Sequence, residues 1–118
     1  MSTNEFRICY MIMTDKELKK IVTKFTKGIL DGKPSKNMCF AVCLPLHSYL
    51  SICEQETELI NGEIPIGDDI YQHTWLQLPD GRIIDPTADQ FNALLDKKMP
   101  LIYIGQKPDW YKIKTITD

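Results

Sequence analysis

The stretch from residue 71 to residue 87 constrains the fold of this 118-residue chain more than any other. Residues 71–78 alternate between apolar and polar side chains, and Pro79-Asp80-Gly81 has the composition of a turn. Residues 82–85 then resume an extended run. The pattern predicts a β-hairpin, which brings its two ends beside each other.

The expected register of this hairpin brings a histidine and an aspartate together. If the turn pairs Leu78 with Arg82, then Trp75 lies opposite residue 85. His73 is then the diagonal neighbour of Asp85 on the same face, within side-chain reach. A carboxylate beside an imidazole orients the ring and stabilises its protonated form. The alternative interpretation is a half-buried histidine and an aspartate that only caps the following turn.

Composition indicates one domain without the features of nucleic-acid-binding or membrane proteins. The length suits one core, so we predict a single domain over 1–118. With 25% charged residues and a net charge of −2, the chain has no excess of basic residues, so nucleic acid is not an expected partner. No charged leader precedes a long apolar segment, which favours a cytoplasmic location without membrane association. The four cysteines are therefore expected to be reduced thiols: Cys9, Cys39, Cys43 and Cys53.

Two helices are predicted before the hairpin. A capping box at residues 14–17 opens a helix over 15–31, whose lysine-rich face we interpret as solvated rather than as a site for an anionic partner. Six residues recur at helical spacing and predict a second helix over 38–53: Cys39, Val42, Cys43, Leu46, Leu50 and Cys53. Pro45 predicts either a kink or a regular helix that starts close to Cys39. Both outcomes leave Cys39 near a helix N-terminus.

The remaining segments are predicted to complete an antiparallel sheet. The expected strands are 57–60, 63–66, 70–78, 82–85 and 101–104, with Asn61-Gly62 as the turn of a second hairpin. A further capping box opens a helix over 88–98. Residues 6–13 fit either a strand or a short helix, and we assign Trp110 and Tyr111 to packing.

Cys39, His73 and Asp85 form a candidate catalytic triad. A helix N-terminus and a nearby imidazolium both favour the thiolate, which is the form that attacks. His73 would pair with this thiolate and later protonate the leaving group, while Asp85 would hold the imidazole ring. The backbone N–H of Cys39, unpaired at the helix start, could donate to an oxyanion. Further candidates for oxyanion or substrate binding are Asn37, Gln72 and Trp75, the last of which also suits a core position.

These residues resemble the transglutaminase-like branch of the papain-like cysteine enzymes. The resemblance rests on a cysteine at a helix start, on His73-Thr74-Trp75 and on Asp85-Pro86-Thr87, and it covers about residues 37–91. It implies an α+β fold, a minimal catalytic core whose cysteine-bearing helix packs on an antiparallel sheet. It also implies acyl transfer on an amide or thioester of a peptide, protein or small molecule. The chain lacks the papain-type Cys-Gly-x-Cys-Trp signature and a glutamine at the usual distance before the cysteine, so the oxyanion hole is left unassigned.

Several alternatives stay open at this point. Cys43 lies one helical turn after Cys39 and competes as the nucleophile, although its place in the apolar stripe favours Cys39. Cys9 and Cys53 fit small buried apolar positions. A zinc site would draw on Cys39, Cys43 and His47, with His73 or Cys53 nearby. A non-catalytic binding module on the same fold is the third hypothesis, and no cofactor motif is present.

Overall fold

A computed structural model describes residues 13–117 of the chain. Cys9 and nearly all of the apolar segment at 6–13 lie outside these residues. The helices are α1 (Asp15–Leu30), α2 (Cys39–Ile52) and a 3₁₀ helix (Ala88–Leu94). The strands are β1 (Glu58–Ile66), β2 (Asp69–Gln77), β3 (Ile83–Asp85), β4 (Tyr103–Gly105) and β5 (Lys112–Thr117).

The five strands form one sheet in the order β4-β3-β2-β1-β5, and every neighbouring pair is antiparallel. The two α-helices pack on one face of this sheet. Their apolar side chains meet those of the sheet in the helix-side core, which comprises Leu18, Val22, Cys43, Leu46, Leu50, Leu59, Leu76, Leu78, Ile84 and Ile102. The α+β class, with the cysteine-bearing helix on an antiparallel sheet, is thereby confirmed.

The opposite face of the sheet carries a second core, here called the aromatic core. Its buried members are Ile60, Ile64, Trp75, Ile83, Phe91 and Tyr111. Because side chains alternate along a strand, His73 lies on the same face of β2 as Trp75. The candidate histidine therefore belongs to the face that the 3₁₀ helix and the segment before β5 cover.

The two α-helices begin where their capping and apolar patterns predict. Thr14 and Glu17 form the capping box of α1, with each side chain bonded to the other residue's main chain. Helix α2 starts at Cys39 and continues through Pro45 to Ile52 as one helix. No helix within residues 13–117 combines the length and the apolar character that a membrane span requires.

The predicted hairpin at Asn61-Gly62 is wrong, because β1 runs through both residues as one continuous strand. The turn lies instead between Ile66 and Asp69, which pair with each other, and Gly67 takes a φ of 62° there. Gly62 is needed for close packing rather than for a turn. A side chain at residue 62 would overlap the indole ring of Trp75.

Three other boundaries differ from the predictions. The helix over 88–98 is a short 3₁₀ helix, because the Asn92 side chain bonds the main-chain N–H and C=O of Met99 and folds the chain back at that point. The strand expected at 101–104 is shifted to β4. Strand β5 was not predicted, and it pairs with β1 through a register shift at Asn61 and Gly62.

Candidate active site

The hairpin of β2 and β3 holds His73 against Asp85. Leu76 pairs with Ile84, and the Leu78 N–H donates to the Arg82 carbonyl at 2.8 Å, which is the register expected from the turn. His73 Nε2 lies 2.6 Å from Asp85 Oδ2, and both side chains are fully buried. This short contact between a buried carboxylate and an imidazole fixes the orientation of the ring.

Asp85 accepts two further hydrogen bonds. The Thr87 N–H donates to Asp85 Oδ1 at 3.1 Å, so the carboxylate also caps the turn that follows β3. The Tyr111 hydroxyl donates to Asp85 Oδ2 at 2.6 Å, the same oxygen that His73 contacts. Both interpretations of Asp85, turn residue and histidine partner, therefore hold together.

Cys39 is the first residue of α2, and a short loop places it there. The Met38 N–H donates to the Ser35 carbonyl at 2.9 Å, and the Ser35 hydroxyl donates to Asp89 of the 3₁₀ helix at 2.5 Å. Asn37 takes a left-handed φ of 61° within this loop, a conformation that asparagine tolerates better than most residues. The loop thus ties the start of α2 to the element that covers the aromatic core.

The main-chain N–H and C=O of Thr74 are not paired with β3, because β3 ends at Asp85. Alternate residues of β2 direct their main-chain polar groups toward β3, as Leu78 does, but the position opposite Thr74 in this register is Pro86. The Thr74 carbonyl accepts instead from the thiol of Cys43 at 3.4 Å. The Thr74 N–H is among the groups that lower the pKa of the Cys39 thiol.

The electrostatics of the site favour a thiolate at Cys39. Burial has the largest single influence and raises the pKa of the thiol, but a hydrogen bond from His73 and its charge act in the other direction. Together with the N–H groups of Thr74 and Phe40, they hold the pKa of Cys39 below its ordinary value.

His73 is shifted in the complementary direction. Burial has the largest influence and lowers its pKa, yet the charge and hydrogen bond of Asp85 and the contact with Cys39 raise it to about 9. Because Nε2 is engaged by Asp85, Nδ1 is the ring nitrogen left for the thiol; within residues 13–117 it has no hydrogen bond of standard geometry. The imidazole is therefore hydrogen-bonded to Asp85 through Nε2, and its charge acts on the Cys39 thiol.

The other cysteine of this helix turn has a different environment. Cys43 is fully buried in the helix-side core. Burial, followed by the charges of Asp85 and Cys39, raises the pKa of its thiol well above the ordinary value. A thiol in such a place stays protonated and inert at neutral pH.

The three remaining candidates lie in three different environments. Asn37 is exposed in the loop before α2. Gln72 is exposed, and its amide donates to Glu63 at 3.3 Å, on the face of β2 opposite to His73. Trp75 is fully buried in the aromatic core, with its ring centroid 5.9 Å from that of His73, so it walls the imidazole from one side.

The ligands of the zinc hypothesis are not brought together. His47 Nδ1 lies 2.6 Å from the Thr57 hydroxyl, which satisfies that nitrogen. In the part of the chain that the structure describes, no three side chains of His, Cys, Asp or Glu are grouped closely enough to hold a metal ion.

Tyr111 is the member of the site that sequence reasoning missed, because it was assigned to packing. It lies 26 residues after Asp85, and no spacing pattern connects the two. The only signal available was the β-branched content of residues 113–117, which favours a strand that would fix the position of Tyr111.

Comparison of this chain with protein-family models, with curated proteins and with solved structures finds no match.

Proposed function

We propose that this protein is a cysteine-dependent acyl-transfer enzyme. Within that class, its cysteine-first helix and His-Asp hairpin best fit the transglutaminase-like branch of the papain-like cysteine enzymes. The observation that carries the proposal is the buried His73 imidazole, whose Nε2 lies 2.6 Å from Asp85 Oδ2 and whose influence lowers the pKa of the neighbouring Cys39 thiol. A histidine with only a structural role needs no thiol beside it. A nucleophilic thiol, in contrast, needs an adjacent base that a third group orients.

The proposed reaction starts from the Cys39 thiolate and the His73 imidazolium. The sulfur attacks the carbonyl carbon of an amide or thioester and forms a tetrahedral intermediate. His73 then gives its proton to the departing amine or thiol, which leaves an acyl group on the sulfur. Water or a second nucleophile, deprotonated by His73, attacks this thioester and restores the free thiol.

Main-chain N–H groups supply the electrostatic part of the proposal. The first N–H groups of a helix have no partner within the helix, and Cys39 occupies its first position. Its N–H is the proposed oxyanion donor. The N–H groups of Phe40 and Thr74, which lower the pKa of the Cys39 thiol, would stabilise the thiolate before attack and the leaving thiolate during deacylation.

An acylation assay with a chromogenic aryl ester tests the proposal. We expect a burst of released phenol and a covalent acyl adduct on Cys39, detected by intact-mass spectrometry and peptide mapping. Cys39→Ala should abolish both signals, and His73→Gln should slow acylation by about 10²–10⁴-fold, the usual contribution of a general acid-base group.

Cys53→Ala is the matched control, because Cys53 is a partly exposed thiol at the other end of the same helix. It should leave both the burst and the adduct unchanged. Acylation of Cys43 in place of Cys39 would move the nucleophile to that residue. A folded protein that shows neither adduct nor burst would favour a binding module on this fold over an enzyme.

A further inference from the structure

The Tyr111 hydroxyl and the His73 imidazole share one oxygen of Asp85. Each lies 2.6 Å from Asp85 Oδ2, in a place where all three side chains are buried. We propose that Tyr111 is a positioning residue of the site, which holds Asp85 in place and limits how strongly the carboxylate attracts the proton of His73. This inference rests on the proposed function and adds a fourth residue to it.

Tyr111 is held rigidly on the face of the sheet that carries His73. It directly precedes β5, whose pairing with β1 fixes the main chain. The Lys107 ammonium donates to the Tyr111 carbonyl at 2.8 Å. The centroid of the Tyr111 ring lies 5.0 Å from that of the Trp75 ring and 4.8 Å from that of the Trp110 ring, which it meets edge-on. A side chain so constrained sets the position of its hydroxyl, and hence that of Asp85.

The Tyr111 hydroxyl is a permanent donor. Burial, followed by the negative charge of Asp85, raises its pKa far above the ordinary value for tyrosine. It therefore cannot exchange roles with His73 as the pH changes. Its O–H withdraws electron density from Asp85 Oδ2 throughout the pH range in which the thiol and imidazole titrate.

Loss of this donor has a defined direction. Two donors on one oxygen weaken each other's hydrogen bonds, so removing the phenol makes Asp85 a stronger acceptor for the imidazolium. His73 should then hold its proton more tightly, and the thiolate-imidazolium pair should form at lower pH. A more basic imidazole is also a weaker acid toward the leaving group, so acyl transfer should slow.

The experiment compares wild-type protein with Tyr111→Phe by following iodoacetamide alkylation of Cys39 against pH. We expect the rise of the Tyr111→Phe profile to move about half to one pH unit downward, while turnover of the aryl ester falls at neutral pH. Tyr103→Phe is the matched control, because its hydroxyl donates to the Gln106 carbonyl at 2.6 Å rather than to Asp85. It should not move the profile.

The NMR titration of the imidazole gives a readout that does not depend on reactivity. The chain has two histidines, so in a His47→Gln background the imidazole signals all belong to His73. The pKa of His73 should be higher in Tyr111→Phe than in the wild-type protein. If Tyr111→Phe unfolds, fluorotyrosine at position 111 keeps the hydroxyl as a stronger donor and should shift the pKa of His73 downward.

The outcomes separate the two hypotheses. An ordinary thiol profile at Cys39 in the wild-type protein would overturn the proposed function. A low wild-type profile that Tyr111→Phe leaves unchanged, or moves upward, would overturn the role of Tyr111 and leave the function standing. Slower turnover with no change in the pKa of His73 would likewise reduce Tyr111 to a packing residue.

Discussion

Asp85 makes three hydrogen bonds although its side chain has no exposure to solvent. Such a carboxylate contributes both to folding and to the charge state of His73. A substitution at the protein surface usually changes the free energy of unfolding by no more than about 0.5 kcal/mol. Burial makes Asp85 more important for stability than that.

Asp85→Asn should therefore be costly in two ways. The amide has one acceptor oxygen, so in either orientation its NH2 group faces at least one of the three donors that Asp85 accepts, and we expect a loss of about 3 kcal/mol in the free energy of unfolding. The imidazolium also loses its counter-ion, and the alkylation profile of Cys39 should move upward in pH. Urea unfolding and pH-dependent alkylation measure the two effects.

Asp89→Asn provides the comparison at the same change of charge. Asp89 lies in the 3₁₀ helix and accepts the Ser35 hydroxyl, a bond that asparagine can also accept. The pH profile of Cys39 alkylation in Asp89→Asn should match that of the wild-type protein. An unaltered profile in a folded Asp85→Asn variant would contradict the role of Asp85 as the partner of His73.

At the scale of single residues, local patterns predicted the pairing of His73 with Asp85 but not the contact with Tyr111. The first follows from one turn and a strand alternation, both contained in 15 residues. The second depends on β5 packing beside β1, and long-range strand pairing leaves no spacing signal near either partner. The start of α2 at Cys39 was predicted in part. The apolar spacing indicated the helix, but the conformation of the loop before it was not evident from the sequence.

Strand β1 contains an Asn-Gly pair that normally indicates a hairpin turn. In this protein the pair lies inside a strand, because the indole ring of Trp75 covers Gly62 and leaves no space for a side chain. Sequence reasoning assigned the glycine to its commonest role. The competing role, close approach of a large aromatic ring, becomes visible only once β2 is placed beside β1.

Gly62→Ala should strongly destabilise the protein. The added methyl group would overlap the Trp75 ring and lie 2.5 Å from the Lys112 carbonyl oxygen, so β1, β2 and β5 cannot all keep their positions. We expect a loss of at least about 2–3 kcal/mol in the free energy of unfolding, the scale of overpacking in a core. Urea denaturation followed by tryptophan fluorescence measures this loss.

Gly28→Ala is the opposite case within one element. Gly28 lies in α1, where an added methyl group meets no atom within 4 Å. Alanine there should stabilise the protein by about 0.5–1 kcal/mol, since glycine is a poor helix former. Equal effects of the two substitutions would contradict the described packing of Trp75 over β1.

The whole molecule consists of one sheet with a core on each face, and the candidate site joins the two. Cys39 belongs to a helix of the helix-side core, whereas His73 lies with the aromatic core. The charge state of this site therefore enters the free energy of unfolding of the entire domain.

Cys39→Ala isolates the contribution of His73. The pKa of this histidine is about 9 in the folded protein against 6.5 ordinarily, so its stabilisation is complete below pH 6.5 and is lost as the pH rises toward 9. The lowered pKa of Cys39 has the opposite sign, because the folded protein releases a proton that the unfolded chain retains. In wild-type protein the two slopes therefore have opposite signs.

In Cys39→Ala we therefore expect the free energy of unfolding to fall by up to about 3 kcal/mol between pH 6.5 and 9, at about 1.4 kcal/mol per pKa unit. The fall should end below pH 9, since Cys39 itself helps to raise the pKa of His73. Adding His73→Gln should flatten the profile. Identical slopes in the single and double variants would show that His73 does not titrate as described.

The residue after β3 limits how far β3 pairs with β2. In a regular hairpin the residue at position 86 would donate its N–H to the Thr74 carbonyl, and β2 and β3 would cover the start of α2. Proline has no N–H, so Pro86 stops this ladder by covalent structure rather than by chance. Because Pro86 has no N–H, the main chain of Thr74 interacts with Cys39 and Cys43 instead of extending the hairpin. Any substitution at residue 86 that restores a donor thus sets strand pairing against thiol binding at the same main-chain groups.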